Sequence, residues 1–163
     1  MRTRVVKFNE FKYFVGFKYI PYAFFNGYSN LEEVELPVLK ILGNATFAYI
    51  YVNKIKKVII PEGTEVIGDL TFLGALAPNS VIKIPTSVTE IGNSAFAWNK
   101  DVTFIFYGNN PPEIAGNWNY LNTSGKNRLI VGYAPDESIT LYKNSSIIGK
   151  MCSDILPISQ YKG

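Results

Sequence analysis

A chain of 163 residues with 47% apolar content and both charge signs has the length and composition of one soluble globular domain able to bury a core. Its 16 basic against 13 acidic residues leave a formal charge of +3, too small and too dispersed to point to nucleic acid or an anionic membrane surface. No histidine occurs, which removes the commonest general base and the commonest metal ligand, and the single Cys152 cannot close an intramolecular disulfide. Cys152 reads as a small buried hydrophobe. No run approaches the roughly 20 apolar residues of a membrane helix, so insertion into a membrane is not expected. The start, Met1-Arg2-Thr3-Arg4-Val5-Val6-Lys7, lacks the apolar stretch of a signal peptide.

In chain order, a degenerate copy of a pattern comes first, Phe17-Lys18-Tyr19-Ile20-Pro21 leading to Ala23-Phe24. Three close copies follow. They are Val34-Glu35-Leu36-Pro37 with Leu42-Gly43 and Phe47, Val58-Ile59-Ile60-Pro61 with Ile67-Gly68 and Phe72, and Ile82-Lys83-Ile84-Pro85 with Ile91-Gly92 and Phe96. The prolines are 24 residues apart both times. A weaker copy runs from Phe104-Ile105-Phe106 to Pro111-Pro112-Glu113-Ile114, so five turns are indicated.

A period in the twenties means one supersecondary unit per repeat, which cannot bury its apolar face until neighbours stack on it. In each unit the short alternating run reads as a strand, and Pro37, Pro61 and Pro85 end the strands because proline cannot donate to a ladder. One strand per turn makes the sheet parallel. Two inward rows follow, Val34, Val58, Ile82, Phe104 and Leu36, Ile60, Ile84, Phe106, while Phe24, Phe47, Phe72 and Phe96 stack on the opposite wall. Gly43, Gly68 and Gly92 stand where the chain bends, and glycine tolerates the positive φ that a bend often needs.

These residues resemble the BspA-like leucine-rich repeats, whose unit reads roughly L-x-x-[IV]-x-[IL]-P-x-x-[VL]-x-x-I-G-x-x-[AS]-F. In the copy from Ile82 to Phe96, Ile84-Pro85, Val88, Ile91-Gly92 and Ala95-Phe96 match, and Asn79 stands where the leading leucine would be. Gly74-Ala75-Leu76-Ala77-Pro78 replaces the usual polar turn. The resemblance implies a leucine-rich-repeat solenoid with a short parallel β-sheet on one face, irregular or extended segments on the other, and a C-terminal capping strand and helix. The closing strand would include Leu129-Ile130-Val131, with Asp136 or Ser138 as N-cap of the helix that follows and Ile155-Leu156-Pro157-Ile158 at the end. The whole of 1–163 is then one domain: 1–30 an N-terminal cap with the degenerate first repeat, 31–112 the core repeats, and 113–163 the last turn and C-terminal cap. The resemblance also implies a secreted or surface-attached bacterial protein that binds a protein or glycan.

No zinc spacing and no phosphate-cradling glycine loop is present, so neither a metal nor a cofactor is expected. Paired carboxylates are the remaining catalytic route. Glu33 and Glu35, two residues apart on one strand face, have a spacing glycan cleavage could use, although ordinary exposed pairing with Lys57 and Lys83 explains them better. The expected binding face is the outward strand row of Glu33, Glu35, Lys57, Ile59, Val81, Lys83, Thr103 and Ile105, three of them apolar on a face that should be wet. Trp98, Tyr107, Trp118 and Tyr120 lie in or beside loops, where they could anchor a ligand, or, for Trp118 and Tyr120, fill the aromatic slot of the last repeat. Two rival readings stand beside a surface recognition module. One is a component of an assembly, such as a phage fibre or decoration protein, associated with the virion. The other is the glycan-cleaving enzyme.

Overall fold

The computed structural model describes residues 4–48, 53–116 and 130–163. Its chain repeatedly returns to pair with itself in parallel, and this produces two walls. The first wall comprises β1 (Lys7–Phe8), β3 (Glu33–Glu35) and β5 (Lys57–Ile59), then β7 (Val81–Ile84), β9 (Thr103–Phe106), β11 (Val131–Ala134) and β12 (Asp154–Pro157). The second wall is a continuous five-stranded ladder of two-residue strands: β2 (Tyr19–Ile20), β4 (Ile41–Leu42), β6 (Val66–Ile67), β8 (Glu90–Ile91) and β10 (Glu113–Ile114). The side expected to be irregular therefore carries a regular ladder. Its strands are too short to show alternation over the 4–8 residues that make a strand legible in sequence.

Strand lengths and burial follow from the repeat. In β3 and β5 the middle residue, Val34 or Val58, points inward, and the flanking residues point out. Pro37, Pro61 and Pro85 follow each strand within two residues, as expected of a residue that cannot donate. Val34 pairs with Val58 and Ile82 with Phe104 in the first of the inward rows predicted, and Ile84 with Phe106 in the second. No ladder joins β5 to β7, although the two lie side by side, so the first wall is divided into sheets of three and four strands. At that junction the backbone pairing runs through Ile55, whose N–H donates to Ala75 and whose carbonyl accepts from Ala77. The backbone bonds between these two turns thus lie just ahead of β5, at Ile55, and not along β5 itself.

Between the walls lies an aromatic stack. Phe25, Phe47, Phe72 and Phe96 lie nearly parallel, with centroids 4.8, 5.0 and 5.1 Å apart, and Phe104 meets Phe96 edge-on. The first member is Phe25, not Phe24. Ile20 pairs with Leu42, so Ile20-Pro21 occupies the slot of the apolar-glycine pair, with Pro21 in the place of Gly43. The strand of that turn is Lys7–Phe8, well upstream. Counting five residues on from Ile20, as from Leu42 to Phe47, reaches Phe25. Phe24 packs instead on Phe11 in the first coil.

The glycines are required for a different reason from the one expected. The left-handed conformation falls two residues later, on Ala45, Leu70 and Ser94 at φ near 55°. A Cβ on Gly43 would collide with the Ile20 carbonyl, one on Gly68 with Asn44, and one on Gly92 with the backbone of Asp69 and Gly68. The coils approach so closely here that only hydrogen fits. The close approach serves a side-chain ladder: Asn44 Oδ1 accepts from Asp69 N–H at 3.0 Å, and Asp69 Oδ1 accepts from Asn93 N–H at 2.7 Å.

At the C-terminal end, β11 and β12 extend the ladder of β9, so the closing unit adds further strands to the same wall. Two short helices, α1 (Ile139–Asn144) and α2 (Ile148–Met151), cross between them. Ser138 stands at the N-cap of α1 without a side-chain capping bond, and Asp136 serves elsewhere: its carboxylate accepts from Ser159 N–H at 3.2 Å and Ser159 Oγ at 2.6 Å. That bond explains why the Asp136 carboxyl is held below its ordinary value. Cys152 is buried, as expected, and burial pushes its thiol up to about 12, which leaves it an unreactive thiol at neutral pH.

Candidate binding surface

The outward residues of the first wall form two rows, and these fall into three zones. At the N-terminal end, Lys7, Glu33 and Lys57 are in register, but Glu33 takes Lys7 as its partner at 2.6 Å. Glu35 takes Lys12, also at 2.6 Å. The expected partners Lys57 and Lys83 are therefore replaced by residues of the first coil, whose strand position the degenerate repeat concealed. The bond to Lys7 holds the Glu33 carboxyl below its ordinary value. A glycosidase acid needs the opposite shift, and both carboxylates already have a cation beside them.

In the middle zone, Lys57 and Ile59 on β5 lie beside Val81 and Lys83 on β7. Lys57, Ile59 and Lys83 are exposed, Val81 and Thr103 are partly exposed, and neither lysine makes an ion pair among the described residues. Ile59 is 41% exposed, a large apolar side chain left in water near two lysines. The interrupted β5–β7 ladder runs beneath this zone.

The third zone is closed. Ile105, expected on the wet face, is only 1% exposed. It stands in register between Lys83 and Tyr133, and the outward Tyr133 ring is met by Tyr161 with centroids 5.0 Å apart. The C-terminal turn thus folds back across the outer face of this end of the sheet. Nothing in the repeat spacing foretells a covering contact made by residues beyond the last copy.

Trp98 and Tyr107 are both exposed, and they stand before and after β9 in the chain. Trp118 and Tyr120 lie outside the described residues.

A second concavity escaped the sequence reading. A groove of about 520 Å³ beside β8 and β10 is lined by Thr86, Thr89, Glu90, Asn109, Asn110 and Glu113, among others. Glu90 and Glu113 are direct register partners on its floor, two like charges placed side by side. One wall is held by Tyr142 of α1, whose hydroxyl lies 2.9 Å from the Gly108 carbonyl and 3.1 Å from that of Asn110. The sequence signal for it is Pro111-Pro112-Glu113, which shifts the last copy relative to its strand. Among the described residues no group of three or more acidic, histidine or cysteine side chains could hold a metal ion.

These features define a repeat protein whose short parallel strands present a sheet surface. The model of the BspA-type leucine-rich repeat region matches residues 5–124 in six copies, one more than the spacing of the motif indicated. The chain belongs to that family, whose repeats form protein-interaction modules, are generally non-enzymatic and often occur in surface or secreted proteins. No curated protein and no solved structure matches the chain. Among the described residues no helix is long and apolar enough to cross a membrane.

Proposed function

We propose that this chain is a non-catalytic recognition module, secreted or held at a bacterial cell surface, whose repeats wind as a leucine-rich-repeat solenoid. It binds a negatively charged protein or glycan on the middle of the first wall. The observation that carries this reading is the contrast among the three zones. The carboxylates at the N-terminal end are neutralised from within the chain, and the far end is folded over by the C-terminal turn. Among the described residues only the middle has two lysines outside any ion pair beside an exposed isoleucine. A cation on a partly apolar surface favours an anionic partner that can also cover carbon, such as an acidic peptide segment or an acidic glycan lying along a sugar face. Thr103 and Val81 extend the surface toward β9.

A screen of acidic glycans and host glycoproteins, followed by titration of whatever binds, tests the proposal. Lys57→Ala combined with Ile59→Ala should weaken binding by roughly tenfold or more, since truncating an anchor at the centre of an interface commonly costs above about 1 kcal/mol. Lys83→Ala should weaken it and flatten its salt dependence. Binding that survives all three substitutions would place the site elsewhere and overturn this reading.

A further inference from the structure

Large exposed apolar side chains are unevenly distributed. Among the described residues nine of the thirteen lie before residue 42. Tyr13, Phe14 and Val15 are 72%, 52% and 90% exposed, on the turn that follows the short helix Asn9–Tyr13. They rest on an aromatic cluster, for Phe14 contacts Phe8 and Phe11, and Phe11 in turn stacks on Phe24. Among the described residues β1 and β2 each pair on one side only, so this end turns aromatic rings and two strand edges outward.

The charges around this patch say what covers it. Lys7, Lys12 and Lys40 each have a carboxylate partner, Glu33, Glu35 and Glu65 respectively. Glu10 and Lys18, both exposed, make no ion pair among the described residues. They flank the apolar turn in the chain, Glu10 before it and Lys18 after it. In a two-fold interface, residue i of one copy meets residue j of the other and j meets i, so a self-complementary patch needs opposite charges on either side of an apolar centre. The segment from Glu10 to Lys18 has that layout.

We propose that a second copy of this chain docks on this end about a two-fold axis. Tyr13, Phe14 and Val15 of each copy bury against those of the other, and Glu10 of each meets Lys18 of its partner. A two-fold arrangement is closed, so it covers both open ends without propagating into a fibre. This surface is separate from the Lys57 and Ile59 zone, and the proposal does not rest on the ligand-binding reading.

Sedimentation equilibrium of the full chain, from micromolar to submillimolar concentration, tests it. The wild type should fit a monomer–dimer equilibrium. Val15→Asp should leave it monomeric, with the melting temperature of the wild type measured in dilute solution, because the side chain is almost wholly exposed in a single copy. Glu10→Lys and Lys18→Glu should each weaken the dimer roughly tenfold, and the double reversal should restore most of the loss, because the pair is re-formed with its signs exchanged. A wild type that stays monomeric throughout overturns the proposal and leaves this end to some other molecule. A dimer indifferent to Val15→Asp, a double reversal no better than either single one, or mass that grows beyond two copies overturns it as well.

Discussion

The interior of the coils and the outer face of the first wall are built by opposite rules. Inside, each position repeats its chemistry: four phenylalanines stack within about 5 Å of one another, three glycines admit the next coil, and asparagine or aspartate bonds from coil to coil. Outside, the same positions hold Lys7, Glu33, Lys57, Val81 and Thr103 in succession, with no common property. Repetition marks what every coil needs in order to stack. Departure from repetition marks where the chain is free to vary, and that is where recognition can be placed.

If the interior is one continuous stack, breaking it in the middle should cost most. Phe72 is fully buried between Phe47 and Phe96, and Phe72→Ala should destabilise by about 3–5 kcal/mol, a large share of the roughly 5–15 kcal/mol that holds a typical domain. Chemical denaturation measures this directly. A loss below about 1 kcal/mol would mean that the phenylalanines are separate fillers and that the comparison with the variable face fails.

A smaller effect separates two reasons for glycine. If Gly92 is required by close approach, Gly92→Ala should cost about 1–3 kcal/mol by forcing apart two coils whose backbones touch there. Leu70, which carries a positive φ of 56°, is the position that backbone strain alone would reserve for glycine. Leu70→Gly should bring no gain, because relief of the left-handed conformation is offset by the greater freedom of the unfolded chain and by the loss of a half-buried side chain. The reverse order, with Leu70→Gly strongly stabilising and Gly92→Ala harmless, would return the bend to its first explanation.

What could be read from the sequence divides along the same line. The three close copies gave the strand wall, both inward rows and the Phe47–Phe72–Phe96 stack, because each depends on side-chain type at a fixed interval. The first coil was misread because Ile20-Pro21 has the same two letters as Ile60-Pro61 and Ile84-Pro85 but occupies a different slot, which only the pairing of Ile20 with Leu42 reveals. The second wall was invisible because two-residue strands carry no alternation. On the candidate surface, Lys57, Ile59 and Lys83 were legible from strand alternation alone. The ion pairs of Glu33 and Glu35 and the covering of Ile105 were not, because they depend on the first coil and on Tyr161, neither of which keeps the repeat.

The smallest effect tests the junction between a repeating and a non-repeating region, where α1 of the closing unit holds the loop of the last coil. Tyr142→Phe removes the hydroxyl from the Gly108 and Asn110 carbonyls and should cost about 1 kcal/mol at neutral pH. Burial raises the pKa of this phenol above its ordinary value of 10.0, so the folded state favours the neutral form. Its contribution is therefore whole below pH 10 and declines as the pH rises above that value, where the unfolded chain ionises and the folded one does not. Lys7, Lys12 and Cys152, all raised, lose stability in the alkaline range too, so the informative quantity is the difference between wild type and variant. Phenylalanine cannot ionise, and the advantage of the wild type should shrink above pH 10 and finally reverse. A difference that stays constant through the alkaline range would show the Tyr142 hydroxyl to be solvated in the folded state, with its ring held by packing against Phe106 and not by the two carbonyls.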